Sequence, residues 1–392
     1  MAEGLQSGRS GRIAALLLAA AAGVAPLPAR ADEAPAVRET AARKEAPPTA
    51  PAPEDPAARR RFARALFFDL RGRGPTPAEM QEALGREAEE QVDRMLSDPA
   101  TWEAWLDREL YYYLLIDRFR PTSDRVRALP ERLALGAGTA KEATREIVVS
   151  VEFNARNPGN DTFVTVVLEQ LLGMVVQQKP KVLAAGKTLY DGKTERFLGQ
   201  VGRNQSDIVR IVLDQREFAD RFAERQYRQV FGAPMPKEAL ARDGARLHAD
   251  PAAFQALLRE WLLSDAYRAR TRIPRPKDDL VFIRTLWVDL LGREPTFEEF
   301  RNSRNALLAL SDPAPVRGVI AQLLLDSGKA PLPAKETLTR PADWVRSRFL
   351  DLLGREPTRT ETEAFVATLG EYGCEPKTIL LAIATSPEYQ YY

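Results

Sequence analysis

Cysteine and histidine are almost missing from this chain: Cys374 and His248 are the only examples in 392 residues. One cysteine cannot close a disulfide within the chain, so stability has to come from packing, and Cys374 is expected to be a buried structural thiol. One histidine cannot build a His-rich metal site. No nucleophile motif surrounds it in "RLHADPAAF", which argues against a catalytic triad and places it near a helix start. An excess of one charge is missing too, since 56 Lys and Arg face 55 Asp and Glu. That balance does not suit a nucleic-acid binder, whose affinity rests on neutralising phosphates. The longest apolar run, Ile13 to Val24, falls short of the roughly 20 residues that cross a bilayer. Alternating strand patterns are scarce, and only "REIVVSVEF" at 145–153 offers one.

Several chemical motifs are incomplete. "AAGKTLYDGKTERF" ends twice in Gly-Lys-Thr, but Lys181 stands where a phosphate loop needs its first glycine, so the segment is expected to be a hairpin or exposed turn. "NPGND" at 157–161 is rich in oxygen ligands without the spacing of an EF-hand, and it reads as a turn. Carboxylates are plentiful, yet no pair stands out as an acid and base. No catalytic, cofactor-binding or metal-ligating residue is therefore assigned.

The N-terminus reads as an address. Arg9 and Arg12 precede the apolar run, and Ala29, Arg30 and Ala31 supply a small-residue cleavage site, which predicts a signal peptide over residues 1–31. Its removal takes away three arginines and one glutamate, leaving 53 basic and 54 acidic side chains. Residues 32–58 carry six prolines, mixed charge and no aromatics, so they cannot bury enough apolar area to fold and are expected to form a disordered tether. The mature chain is thus expected in the periplasm, at the cell surface or outside the cell, with no transmembrane helix.

From Arg59 onward apolar residues recur at helical spacing, and one turn repeats. "LWVDLLGREPTFEEF" at 286–300 is nearly copied by "RFLDLLGREPTRTETEAF" near the C-terminus, and "FFDLRGRGPTPAEM" at 67–80 is a third version. Gly72, Gly292 and Gly354 can adopt the left-handed conformation that closes a helix. Pro75, Pro295 and Pro357 stop that helix from continuing. Thr76, Thr296 and Thr358, each three residues before Glu79, Glu299 and Glu361, are capping boxes for the next helix, each cap contributing about 1 kcal/mol. Asp69, Asp289 and Asp351 lie four residues before Arg73, Arg293 and Arg355, a spacing expected either to pair them across the turn or to let them satisfy its amides. A recurring ligand clamp is the competing explanation.

A looser copy, "RQYRQVFGAPMPKEAL" at 225–240, keeps Gly232, Pro234 and Glu238, with Pro236 expected at the first helical position. A fifth candidate around Gly173 rests mainly on spacing: Gly173, Gly232, Gly292 and Gly354 lie 59, 60 and 62 residues apart. Module ends also match, with a Ser or Asp break followed by Trp102, Phe218, Tyr267 or Tyr389, each expected to return to the core. The predicted fold is all-α, in tandem helical modules of about 45–60 residues, with at most a short strand or hairpin in an insert. The expected divisions are module 1 at 59–125, insert at 126–160, and modules 2 to 5 at 161–223, 224–275, 276–335 and 336–392.

The segment "RRRFARALFFDLRGRGPTPAEMQEAL" with "EEQVDRMLSDPATWEAWLDRELYYYLL" resembles a secreted, cytochrome-associated domain of unknown function abundant in planctomycetes, and weaker likeness runs to about residue 180. That family often carries C-x-x-C-H where this chain has VVQQKP at Val175–Pro180, so the resemblance implies no haem attachment here. "RQYRQVFGAPMPKEAL" with "LLREWLLSDAYRAR", and "RFLDLLGREPTRTETEAF" with "ILLAIATSPEYQ", resemble extracellular helical repeats related to phycobilisome linkers. Such repeats imply assembly or attachment rather than catalysis. The expectation is therefore an exported non-enzymatic scaffold or interaction protein with a protein partner in the envelope and no cofactor. An alternative is an accessory subunit of an exported redox or hydrolytic enzyme that has lost haem attachment, and a third is a carboxylate-based hydrolase on envelope polymer. Tyr111–Tyr113 are expected in the core, whereas Tyr389–Tyr392 are expected to remain open, where they offer a stacking surface to polysaccharide.

Overall fold

A computed structural model of the chain describes residues 55–116, 121 and 123–392. The predicted signal peptide, and the tether before Asp55, lie outside the described residues. The described residues divide into two compact units: Arg60–Pro313 together with Tyr392, and Ala314–Tyr391 together with Asp55–Arg59. That division falls inside the stretch 276–335 which the repeat spacing assigns to one module.

The fold is all-α. The larger unit begins at Arg60, within α1 (Pro56–Leu66), and that helix is followed directly by a π turn over Phe67–Arg71. Pro56–Ala58, read as the end of the tether, therefore already belong to a helix, because proline is tolerated in a first helical turn. Next come α2 (Pro77–Leu84), α3 (Ala88–Leu96), α4 (Pro99–Leu114), α5 (Asp124–Arg127), α6 (Leu129–Ala134), α7 (Ala140–Val148), α8 (Val151–Arg156), α9 (Gly159–Leu172) and α10 (Pro180–Tyr190). A short antiparallel hairpin of β1 (Glu195–Phe197) and β2 (Gln200–Gly202), in the register Arg196 to Val201, leads into α11 (Gln205–Leu213). The unit closes with α12 (Arg216–Phe231), α13 (Lys237–Ala249), α14 (Phe254–Leu263), α15 (Asp265–Arg270), α16 (Asp279–Leu291) and α17 (Phe297–Leu308).

The segment 145–153 is helical rather than extended. The Thr139 side chain accepts from the Glu142 amide and Ser150 from the Phe153 amide, so α7 and α8 each have an N-cap. Ala143, Ile147, Val148 and Phe153 then fall on buried faces, and packing overrides the β-branched run. The two strands lie in 195–202 instead, outside the predicted insert. Of the two Gly-Lys-Thr triplets, Gly186–Thr188 sits inside α10, while Gly192–Thr194 forms the turn before β1. Gly186 is fixed there by packing, since a Cβ would lie 2.4 Å from a Val164 methyl.

One hydrophobic core runs through this unit from Phe62 to Tyr267, with Trp102, Phe153, Phe163, Phe197 and Tyr267 among its largest fully buried side chains. The predicted break-and-return segments build it. Asp98 caps α4 and Ser264 caps α15, which turns Trp102 and Tyr267 inward, and Phe218 near the start of α12 is buried in the same core. Tyr113 is buried, Tyr112 half-buried and Tyr111 partly exposed. "NPGND" starts a helix: Pro158 precedes α9, Asp161 pairs with Lys187 at 2.8 Å, and Asn160 donates to Asp191.

The smaller unit contains α18 (Ala314–Asp326), α19 (Pro341–Leu352), α20 (Arg359–Gly370) and α21 (Pro376–Ala384). Its core is formed by Ile320, Leu325, Val345, Phe349, Leu352, Ile379, Ile383 and Tyr389. Ser386 accepts from the Tyr389 amide, repeating the break used at Ser264. Cys374 is buried, and burial pushes its thiol above the ordinary range. Tyr389 is fully buried and Tyr392 belongs to the larger unit, where its ring stacks on Phe68 at 4.2 Å. The terminal tyrosines are thus committed to packing, apart from Tyr391, which is exposed.

Candidate interaction site: the Gly-Arg turns

The repeated turn has one geometry in its three full copies. Gly72, Gly292 and Gly354 have φ of 63°, 70° and 75°, the left-handed conformation their position requires. Thr76, Thr296 and Thr358 form complete capping boxes with Glu79, Glu299 and Glu361. The arginine after each glycine does not pair with the aspartate four residues earlier. It pairs with the capping glutamate six residues later.

Arg73 donates to both Glu79 oxygens at 2.8 Å, Arg293 to both of Glu299 at 2.8 Å, and Arg355 to those of Glu361 at 2.9 and 2.8 Å. Each arginine also donates to the carbonyl of the residue after it: Gly74, Glu294 or Glu356. The proline that ends one helix swings the next N-terminus back over the arginine, which brings the planar fork level with the capping carboxylate. The effect on protonation is large. Arg293 and the Thr296 amide hold Glu299 down to about 2, and Arg355 with the Thr358 amide holds Glu361 down to about 2. Against the penalty of burial, Arg73 holds Glu79 below its ordinary value as well.

The three aspartates have separate fates. Asp69, buried by the π turn, accepts from the Tyr267 hydroxyl at 2.7 Å, Arg270 at 2.8 Å and Arg275 at 3.3 Å, with the Tyr392 hydroxyl at 3.4 Å. Burial pushes its carboxyl above the ordinary range, against the pull of Arg270, Tyr267 and Arg275. Burial and the charge of Asp69 likewise push Tyr392 up to about 12. Asp351 pairs with Arg348 at 2.9 Å. Asp289 lies beside Gly74, where a Cβ on that glycine would sit 3.7 Å from its Oδ1.

Long-range arginines, which the repeat pattern does not signal, cover the helix ends. Arg108 donates to the Leu70 carbonyl and Arg284 to that of Arg71, over Gly72. Arg221 donates to the Gln170 carbonyl beside Gly173, which has φ 68° and closes α9. Arg275 donates to the Gln229 and Val230 carbonyls beside Gly232, whose turn carries Ala233 where the full copies carry arginine. Cations at a helix C-terminus satisfy its free carbonyls and oppose its dipole. Burial and the neighbouring Arg284 hold Arg108 down to about 10, so it remains charged at neutral pH. In the loose copy Pro236 is the N-cap, not the first helical residue, and no side chain caps α13. Glu238 lies in the first turn and Pro234 precedes the buried Met235.

The first turn is itself docked against the second. Arg73 donates through Nε to Glu294 at 2.8 Å, and the Gly74 amide donates to the Thr285 hydroxyl of α16 at 3.1 Å. Gly74 eases that approach, because a Cβ there would stand 3.2 Å from the Thr285 methyl, which would have to shift by a few tenths of an ångström. Beneath the turn, a cavity of about 20 Å³ is lined by Asp69, Thr101, Trp105, Arg108 and Gln226. That is room for about one water molecule, not an organic substrate. A second, of about 20 Å³, is lined in part by Lys141, Phe218 and His248. His248 is an exposed residue in the last turn of α13 rather than near a helix start, because α13 begins eleven residues earlier, at Lys237.

Among the described residues no group of three His, Cys, Asp or Glu side chains is placed to hold a metal ion, and no helix is long and apolar enough to cross a membrane. No protein-family model, curated protein or solved structure matches the chain.

Proposed function

We propose that this chain is a non-enzymatic helical scaffold or interaction protein of the periplasm or cell surface. The observation that carries this reading is the Arg73–Glu294 and Gly74–Thr285 contact: one copy of the repeated turn already serves as a docking element between helices distant in sequence. A capped turn whose arginine is held through Nη1 and Nη2 presents its Nε–H as a fixed donor at little cost in side-chain entropy. The carboxylates of the repeats are spent holding those forks, which favours a mechanical role for Glu79, Glu299 and Glu361 over acid–base work.

The test is cross-linking and co-purification of the mature protein from its own envelope fraction, with metal and haem analysis of the product. A protein partner at a fixed ratio is the expected result. A clean monomer with turnover on envelope polymer, or a stoichiometric metal or haem, overturns the proposal.

A further inference from the structure

Two cavities of about 20 Å³ in the larger unit differ in the chemistry of their walls. Ala140, Leu213, Phe218 and Leu247 make one of them largely apolar, and its Lys141 is already paired with Asp214 at 2.6 Å. The other lies beneath the first Gly-Arg turn, where Asp69 and Leu70 of the π turn meet Thr101 and Arg108 of α4 and Gln226 of α12. An apolar cavity stays dry, whereas a polar one of this size is filled when its walls offer hydrogen bonds. π turns interrupt the regular helical ladder and occur frequently at functional positions.

Two buried groups on the polar wall lack a partner among the described residues. Thr101 is 2% exposed, and its Oγ1 makes no hydrogen bond. Arg108 donates through Nη1 and Nη2 to the Leu70 carbonyl at 3.2 and 3.3 Å, and its buried Nε makes no hydrogen bond. Asp69 adds an acceptor that is only half engaged: Oδ1 accepts from Arg270, Arg275 and Tyr392, whereas Oδ2 accepts from Tyr267 alone. Gln226 is committed elsewhere, accepting from Trp105 Nε1 at 3.1 Å and donating to Glu109 at 2.8 Å. A hydroxyl and a charged guanidinium N–H left without partners at this depth forfeit the hydrogen bonds that solvent gives them in the unfolded chain.

We propose that this cavity binds one water molecule as a structural ligand of the π turn, accepting from Arg108 Nε and bridging the Thr101 hydroxyl to Asp69 Oδ2. The volume suits about one such molecule, and a buried water ordinarily has two to four polar partners, which Arg108, Thr101 and Asp69 supply. Water both donates and accepts, as a wall that mixes a guanidinium, a hydroxyl and a carboxylate requires. A halide ion of similar size has no hydrogen to offer Asp69 and is repelled by its charge. The bound water joins the π turn to α4, a second link between the first Gly-Arg turn and its surroundings that is separate from the Arg73 clamp. The site lies wholly within the larger unit and is independent of any partner.

A high-resolution crystal structure of the full chain, together with melting curves of Thr101→Val, tests the site. One peak of density the size of a water is expected within about 2.5–3.2 Å of both Thr101 Oγ1 and Arg108 Nε. An empty cavity overturns the proposal, and so does a bromide soak that places an anomalous peak there, since the ligand would then be an anion. The variant asks the same question in solution through the sign of its effect. Valine matches threonine in shape and nearly in helix propensity, so the exchange removes little besides the hydroxyl. With water bound, Thr101→Val takes away one of its partners and is expected to lower the melting temperature by about 2–4 °C. In a dry cavity the same exchange removes an unsatisfied hydroxyl, so a melting temperature that rises or stays unchanged overturns the proposal.

Discussion

The three full turns offer one substitution in three environments, which makes arginine-to-alanine exchange a quantitative test of what each clamp contributes. Arg73 has 8% of its side chain exposed and donates to Glu79, the Gly74 carbonyl and Glu294. Its loss frees Glu294, which is 42% exposed, but leaves Glu79 more than half-buried with only Arg71 and the cap amide. Removing one partner of a buried pair costs about 3–5 kcal/mol, and the remaining Arg71 places Arg73→Ala at the lower end, about 3 kcal/mol. Arg293 is 43% exposed, so solvent screens its clamp and Arg293→Ala is expected to cost about 1 kcal/mol. Arg355, at 37% exposure with both Glu361 and Glu388, should fall between them at about 1.5 kcal/mol. Four of the five tryptophans, Trp102, Trp105, Trp261 and Trp287, lie in the larger unit, so urea unfolding by tryptophan fluorescence reads Arg73 and Arg293. Far-UV circular dichroism reads Arg355 in the smaller one. Arg73→Ala should lower the melting temperature by about 6–12 °C and Arg293→Ala by about 2–4 °C. Equal losses within about 0.5 kcal/mol would refute the argument that docking against α16, rather than the turn alone, gives Arg73 its weight.

Other substitutions and conditions separate the remaining causes. Glu299 and Glu361 are both held down to about 2 from an ordinary 4.5, so their clamps stabilise fully above the unfolded value and are lost as pH falls toward 2. Glu299→Gln with Glu361→Gln should therefore flatten the acid limb of a stability–pH profile, and an unchanged limb would contradict the clamp. Asp69→Ala leaves Arg270 buried without its carboxylate and should cost about 3–5 kcal/mol, whereas the same change at Asp351, which is 19% exposed, should cost about 1 kcal/mol. Partner capture in a pull-down should survive Asp351→Ala at unchanged strength. Gly244→Ala places a Cβ 1.8 Å from Asp220 Oδ1 between α12 and α13, so a loss of about 1–3 kcal/mol is expected in chemical denaturation despite the better helix propensity of alanine.

What was legible in the sequence was local. A glycine with positive φ, a proline break and a Thr-x-x-Glu box are each settled by a few consecutive dihedrals and hydrogen bonds, so their repetition located Gly72, Gly292 and Gly354 and the helices after them. The same rule applies to the segment 145–153. Thr139 and Glu142 stand three apart across the start of α7, a start signal that competes with the β-branched run at Ile147–Val149. The partner of each turn arginine was not legible from spacing alone. Asp69 and Glu79 are both close in sequence to Arg73, and the direction taken after Pro75 decides between them.

Arg108, Arg221, Arg275 and Arg284 are less legible still. Each covers a carbonyl 38 to 213 residues away, and nothing in its own neighbourhood distinguishes it from a solvated surface arginine. These distant contacts give identical turns different surroundings. Gly72 is roofed by two guanidinium groups and Gly292 by none, though both sit in the same motif. The motif therefore fixes the shape of the turn, while contacts from distant parts of the fold determine how deeply each copy is buried.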